Sequence, residues 1–133
     1  MNVPGLAAVG GGSLLGAWLR WWLGLRLNAL FPTLPMGTLA ANLIGGYIIG
    51  VALGMITHNL GLSPQARLFL MTGFCGGLTT FSTFSAETYT LLERGQIGWG
   101  LGEIAIHVCG SLVATALGVA TVGLLRNWAG AAA

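Results

Sequence analysis

Four long apolar stretches, separated by short polar turns, make up nearly all of this 133-residue chain. They cover about residues 3–25, 35–57, 65–92 and 97–125. A helix that crosses a bilayer needs about 20 mostly apolar residues, so each stretch is long enough to do so. The turns between the stretches are too short to form a domain of their own. The sequence therefore predicts an all-α membrane protein, with residues 1–133 forming a single domain of four transmembrane helices.

The charged residues are too few for a water-facing surface. They amount to 6% of the chain, all of them arginine or glutamate, whereas a soluble domain is about 25% charged. This composition excludes a soluble globular protein and a disordered chain, and it excludes a nucleic acid as partner because no basic patch can form. No metalloprotease motif or nucleophile–base set is visible, so we predict that the chain is not an enzyme.

The arginines give little information about orientation. With four spans, Arg67 and Arg126 lie on one side of the membrane, and Arg26 and Arg94 lie on the other. The positive-inside rule cannot separate two charges from two. Charge alone therefore leaves open whether every copy inserts the same way or whether copies insert in both directions. The first stretch lacks a basic leader, so we expect a retained span rather than a cleaved signal.

The second stretch carries one polar residue in line with three glycines. Asn42, Gly46, Gly50 and Gly54 recur every four residues, so they share one face of a helix. The glycines would let another helix backbone approach closely. An unpaired amide inside a membrane is costly. The side chain of Asn42 is therefore expected either to link two helices or to offer its N–H groups to an anion.

The third stretch is a poor straight helix. Gly76 and Gly77 are followed by five hydroxyl residues within positions 79–85. This pattern favours a break at membrane depth over a kink whose hydroxyls bond back to the helix, and such breaks build ion sites. Phe81 and Phe84 lie three residues apart, so both rings project to a similar side. The edge of an aromatic ring is partially positive and can solvate a small anion.

Ionisable and polar residues continue along the third and fourth stretches. Glu87 follows Thr83 by four residues, and an ionisable group inside a span is a functional candidate. In the fourth stretch, a polar stripe at every fourth residue is formed by Glu103, His107, Ser111 and Thr115. The stripe is typical either of a lined pathway or of hydrogen bonds between helices. Four helices are few to bury all these polar faces, so we predict a homodimer.

These motifs together resemble one known family. Residues 73–87, GFCGGLTTFSTFSAE, and residues 37–43, GTLAANL, are similar to the Fluc (CrcB) fluoride channels, and the likeness covers essentially the whole chain. The resemblance implies a channel that passively exports toxic fluoride across the cytoplasmic (inner) membrane of a bacterium. It further implies an antiparallel, dual-topology homodimer within the lipid, with two pores and a central structural Na⁺.

The resemblance also implies a role for individual residues. The ion pathway would be formed by Arg20, Asn42, Phe81, Ser82, Thr83, Phe84, Glu87, His107, Ser111 and Thr115. Among these, Arg20 would attract anions at a vestibule. Main-chain carbonyls of Gly76 and Thr79 would hold Na⁺ at the break.

Two other functions remain open from the sequence. A small dual-topology, proton-coupled exporter is expected to hold a carboxylate deep in its first span, where this chain has none. A purely structural membrane subunit would tolerate aliphatic residues in place of Phe81 and Phe84.

Overall fold

The computed structural model describes residues 2–131 and consists of four long helical stretches joined by turns. The first two are α1, Val3–Leu27, and α2, Met36–Thr57. The third is divided into α3, residues 64–78, and α4, Phe81–Glu93. The last is α5, Ile97–Ala131. The predicted all-α fold and the predicted break in the third stretch are confirmed.

Local signals in the sequence fix the start of α1 and of α2. The Asn2 side chain accepts a hydrogen bond from Gly5 N at 2.9 Å and so caps the first turn of α1. Asn28 follows the last residue of α1, and its Oδ1 accepts from Gly37 N at 2.8 Å. This second contact ties the end of α1 to the beginning of α2 across a short turn.

The helix α3 is not a regular α-helix. Its first turn, Pro64–Arg67, and its last, Gly76–Leu78, are α-helical, but Leu68–Cys75 is a π-helix. π-Helices are rare, occur mostly as short bulges inside α-helices, and are frequent at functional sites. The π-helical segment packs on α1, where a Cβ on Gly12 would lie 2.7 Å from Phe74 N. The backbones of α1 and α3 therefore touch directly.

A second close contact joins α2 to α5. A Cβ on Gly50 would overlap Thr115 O, and one on Gly118 would overlap Tyr47 O. A Cβ on Gly54 would lie 2.9 Å from Val122 Cβ. The prediction that the glycine face of the second stretch meets another helix backbone closely is confirmed.

The helix α5 is longer than the fourth predicted membrane span, about residues 97–125. It continues past residue 125 to Ala131, because Arg126–Ala131 contains no proline to end it. At 1.5 Å per residue its 35 residues measure about 52 Å, more than the roughly 30 Å core of a bilayer. One or both of its ends therefore extend beyond the apolar layer.

Two of the described helices, Met36–Thr57 and Ile97–Ala131, are individually long and apolar enough to cross a membrane. The most apolar part of α5 is only 11% buried, unlike the core helix of a soluble protein. The other two predicted spans fail this test for visible reasons. Arg20, glycines and tryptophans lower the hydropathy of α1, and the break divides the third span into two shorter helices.

Candidate functional site

The break between α3 and α4 consists of two threonines. Thr79 and Thr80 are extended, with φ/ψ of −78°/154° and −149°/116°. The Thr80 hydroxyl accepts from Thr83 N at 3.1 Å and caps the start of α4. It also donates to Thr83 Oγ1 at 2.9 Å and lies 3.2 Å from Ser82 Oγ. The predicted pathway hydroxyls of Ser82 and Thr83 are thus gathered around Thr80.

Asn42 of α2 holds the extended backbone of the break. Its Oδ1 accepts from Thr80 N at 2.7 Å, and its Nδ2 donates to Thr80 O at 3.1 Å. The same Nδ2 lies 3.1 Å from His107 Nδ1. Both amide protons therefore have acceptors within the chain. Of the two roles predicted for this amide, the observed contacts are those of a link between helices.

The break leaves two main-chain oxygens without their usual helical donors. In a continuous helix Gly76 O would accept from Thr80 N, but that amide donates to Asn42. Likewise Thr79 O would accept from Thr83 N, but that amide donates to the Thr80 hydroxyl. These are the two carbonyls predicted to hold a cation. An ideal Cβ on Gly76 meets nothing within 4 Å, so its surroundings are open.

Arg20 lies at the same break. Its Nε donates to Gly77 O at 3.1 Å, so the half-buried guanidinium caps a third carbonyl near the end of α3. Arg20 lies near the end of its predicted span, and the family resemblance implied that it attracts anions at a vestibule. In the structure it is anchored to the break, where its positive charge also interacts favourably with the negative, C-terminal end of the α3 dipole.

The two phenylalanines at the start of α4 are adjacent but unequally covered. Their ring centroids are 5.5 Å apart in an edge-on arrangement. Phe84 is 7% exposed and stacks on the ring of His107 with centroids 4.7 Å apart. Phe81 is 77% exposed. One ring is therefore held inside the chain, and the other faces outward.

A cavity of about 440 Å³ lies against the break. The lining includes most of the predicted residues near the break, together with apolar side chains from α2, α3 and α5. Its predicted members are Asn42, Gly76, Thr79, Phe81, Phe84, His107 and Ser111. The structure thus brings together residues from α2, α3, α4 and α5 that are up to 69 positions apart in the sequence.

Glu87 is reached by a different partner from the one its spacing suggests. Its Oε1 accepts from Thr38 Oγ1 of α2 at 2.7 Å, while its Oε2 is buried with no hydrogen-bond partner among residues 2–131. Glu87 and Thr83 line a second cavity of about 270 Å³, together with Arg94. This second cavity lies farther along α4 from the break than the first.

The polar stripe of α5 lies on the buried or half-buried side of the helix, and its members have different partners. Glu103 is fully buried and its Oε2 accepts from Thr88 Oγ1 at 2.9 Å. The Thr115 hydroxyl lies 3.0 Å from Gly46 O and 2.9 Å from Ser111 O. Because its one proton is directed at these carbonyls, Thr115 serves as a hydrogen bond between α2 and α5 in this structure.

Two polar residues were not singled out from the sequence. Thr80 was part of the motif without a role, although threonine is one of the residue types preferred at a helix N-cap. Thr38 precedes Asn42 by four residues and so lies on the same face of α2. That spacing was the signal available for finding the Glu87 partner.

Comparison with known proteins identifies the family. A model of the family described as "CrcB-like protein, Camphor Resistance (CrcB)" matches residues 7–119. The chain belongs to the CrcB family. A protein of Nitrosospira multiformis is 63% identical over 127 residues, covering 96% of this chain and 99% of that protein. A protein of Pseudomonas putida W619 is 63% identical over 116 residues, covering 87% and 91%.

Both relatives are named fluoride-specific ion channel FluC, as is one of Nitrosomonas europaea that is 57% identical over 122 residues. The resemblance to the CrcB family found in the sequence is therefore confirmed. Membership in a family of ion channels also agrees with the prediction that the chain is not an enzyme. The break and the cavity lie within the matched range of residues 7–119.

Proposed function

We propose that this chain forms a channel through which fluoride leaves the cell passively, in the cytoplasmic membrane of a bacterium. The observation that carries the proposal is the broken third span. Its phenylalanine pair and its hydroxyls lie beside a cavity, in a chain whose close relatives are named as fluoride-specific channels. All four helical stretches would cross the membrane.

The chemistry at the break suits a small, strongly hydrated anion. Such an ion can give up its water only where hydrogen-bond donors replace it. The hydroxyls of Thr83 and Ser111 are donors of this kind, since Thr83 Oγ1 is the acceptor in its hydrogen bond with Thr80 and Ser111 lines the cavity. The ring edges of Phe81 and Phe84 add partial positive charge. These groups are individually weak, so the ion can leave as readily as it enters.

We further propose that two copies pair in opposite orientations and form two pores. Support comes from the face that carries the break. Phe81 is 77% exposed there, Gly76 faces open space, and the 440 Å³ cavity is lined by both. A second copy would cover this face, including the main-chain carbonyls freed at the break, which are costly to expose to lipid. The even division of arginines between the two sides suits insertion in both directions.

A sodium ion at the centre of this dimer fits the main chain at the break. Sodium prefers oxygen ligands, and Gly76 O and Thr79 O have both lost their helical donors to side chains. We propose that these carbonyls from both copies hold the ion. Its fixed charge would raise the positive potential near the pores without the ion entering the pathway.

Fluoride efflux from liposomes that contain the purified protein tests the proposed function. We expect fluoride to leave rapidly and chloride to remain, with no requirement for a proton gradient. Equal rates for the two anions would contradict a fluoride-selective channel. Efflux that requires a proton gradient would favour the small exporter, and an absence of any flux would favour the structural subunit.

Labelling from the two sides of the membrane tests the orientation. A single cysteine at Gln96, in a variant with Cys75→Ala and Cys109→Ala, lies in the turn between α4 and α5. With insertion in both directions, an impermeant maleimide added to right-side-out vesicles of the cell membrane, where the cell has set the orientation, labels about half of the cysteines before lysis. Labelling close to none or close to all would contradict dual topology.

A further inference from the structure

His107 lies at the centre of a network that reaches the break from α5. It is 5% exposed, its ring stacks on Phe84, and its Nδ1 lies 3.1 Å from Asn42 Nδ2. The resemblance to the family gave this residue a place on the pathway without a chemical role. The hydrogen bonds of Asn42 define one.

The orientation of the Asn42 amide is fixed by the backbone of Thr80. The atom 2.7 Å from Thr80 N must be an acceptor, so it is the oxygen Oδ1. The atom 3.1 Å from Thr80 O must be a donor, so it is the nitrogen Nδ2. The contact between Nδ2 and His107 Nδ1 therefore has the amide as its donor. Nδ1 must carry a lone pair, and the neutral ring then carries its proton on Nε2.

We infer that His107 is a positioning residue. It accepts the second amide proton of Asn42 and thereby stops this side chain from rotating away from Thr80. The extended backbone at Thr80, and the Gly76 carbonyl freed there, depend on that orientation. The ring also supports Phe84 from behind, and its Nε2–H remains available as a donor.

The hydrogen-bond acceptor at the δ position of residue 107 and the size of its side chain have different roles. An aromatic ring of any kind could stack on Phe84, but only an acceptor at the δ position can take the proton from Asn42. Asparagine at this position offers Oδ1 in place of Nδ1. Glutamine keeps a polar group at the ε position and loses the δ acceptor, and leucine loses both.

Fluoride efflux of three variants tests the role of the δ acceptor, a test that rests on the proposed function. We expect His107→Asn to retain efflux within about threefold of the unchanged protein, and His107→Gln and His107→Leu to lose about tenfold or more, as a lost buried hydrogen bond implies. Light scattering of each purified variant reports assembly. The inference is overturned if asparagine is as slow as leucine, if leucine is as fast as histidine, or if flux falls only where assembly fails.

The tautomer gives a readout that does not depend on ion flux. The chain has two histidines, so His58→Gln leaves His107 as the sole signal in a sample with ¹⁵N-labelled histidine. We expect an unprotonated Nδ1 and a protonated Nε2 at neutral pH. A protonated Nδ1 would overturn the inference. If the unchanged protein carries no fluoride, the proposed function fails, while the tautomer measurement still decides the position of the proton.

Discussion

Phe81 and Phe84 pack edge to face with their ring centroids 5.5 Å apart, yet Phe81 is 77% exposed and Phe84 only 7%. One turn of helix thus places one ring inside the chain, against His107, and the other outside it. The proposed second copy would explain this difference by completing the wall of the channel. The exposed ring would then serve the pore, whereas the buried ring also supports the fold.

Replacing each ring with isoleucine should therefore have different consequences. We expect Phe81→Ile to reduce fluoride efflux sharply with little change in the melting temperature in detergent. Phe84→Ile should reduce both, because the Phe84 ring lines the cavity and is also buried inside the chain. Phe31 and Trp99 provide a control. Their ring centroids are also close, 5.6 Å from each other, but this pair lies away from the break. Unchanged efflux in Phe81→Ile would favour a structural subunit over a channel.

Removing the amide of Asn42 should damage both the break and the flux. Asn42→Ala leaves Thr80 N and Thr80 O without partners, at a cost of about 1–3 kcal/mol per buried group. We expect strongly reduced fluoride efflux and a lower melting temperature, with the dimer still assembled. Asn127→Ala, at the exposed end of α5, is the matched control. Full fluoride efflux in Asn42→Ala would show that the break does not need the hydrogen bonds of Asn42 to Thr80.

Two glycines of the same helix should respond oppositely to alanine. A Cβ on Gly118 would overlap Tyr47 O and lie 2.7 Å from Val51 N, whereas one on Gly102 meets nothing within 4 Å. We expect Gly118→Ala to destabilise by at least about 1 kcal/mol, because α2 and α5 must move apart. Gly102→Ala should leave thermal unfolding unchanged or slightly improved. Equal melting temperatures would contradict the close backbone contact.

The features that the sequence predicted are those written in local patterns. The four helical stretches follow from runs of apolar residues, and the contact between α2 and α5 follows from glycines at every fourth position. The break follows from Gly76 and Gly77 before a run of hydroxyls. Each of these signals lies within one turn or a few turns of helix.

The features that it could not predict depend on contacts between distant segments. The π-helix Leu68–Cys75 has the composition of an ordinary apolar helix, so its register reflects packing on α1 rather than its own residues. The hydrogen bond between Thr38 and Glu87 joins positions 49 residues apart. The helix α5 continues past the predicted span to Ala131, because nothing after Arg126 breaks a helix and the sequence pattern marks only the end of the apolar run.

Removal of sodium should weaken the proposed dimer. If Gly76 O and Thr79 O of both copies hold the ion, replacing Na⁺ with a large organic cation leaves these carbonyls facing one another without a counter-charge. We expect slower fluoride efflux and a lower melting temperature, both restored by adding Na⁺ back. The same exchange in a variant that does not form dimers is the control. Identical efflux and stability in both salts would contradict a sodium ion at the break.

Two alternative roles of Arg20 can be distinguished by the effect of salt concentration on the fluoride efflux of its variants. If Arg20 attracts anions as a remote charge, Arg20→Lys keeps its fluoride efflux. The loss of efflux in Arg20→Gln is then smaller at 1 M salt, because the screening length falls from about 10 Å at 0.1 M to about 3 Å at 1 M. If it caps Gly77 O through Nε, as the 3.1 Å contact indicates, lysine cannot reproduce the planar group and salt has little effect. We expect the second pattern, with both variants about tenfold slower at every salt concentration, as the loss of a charged hydrogen bond implies. Arg126→Gln, far from the break on α5, is the control. A lysine variant as fast as the unchanged protein would instead restore the vestibule role that the family resemblance implied.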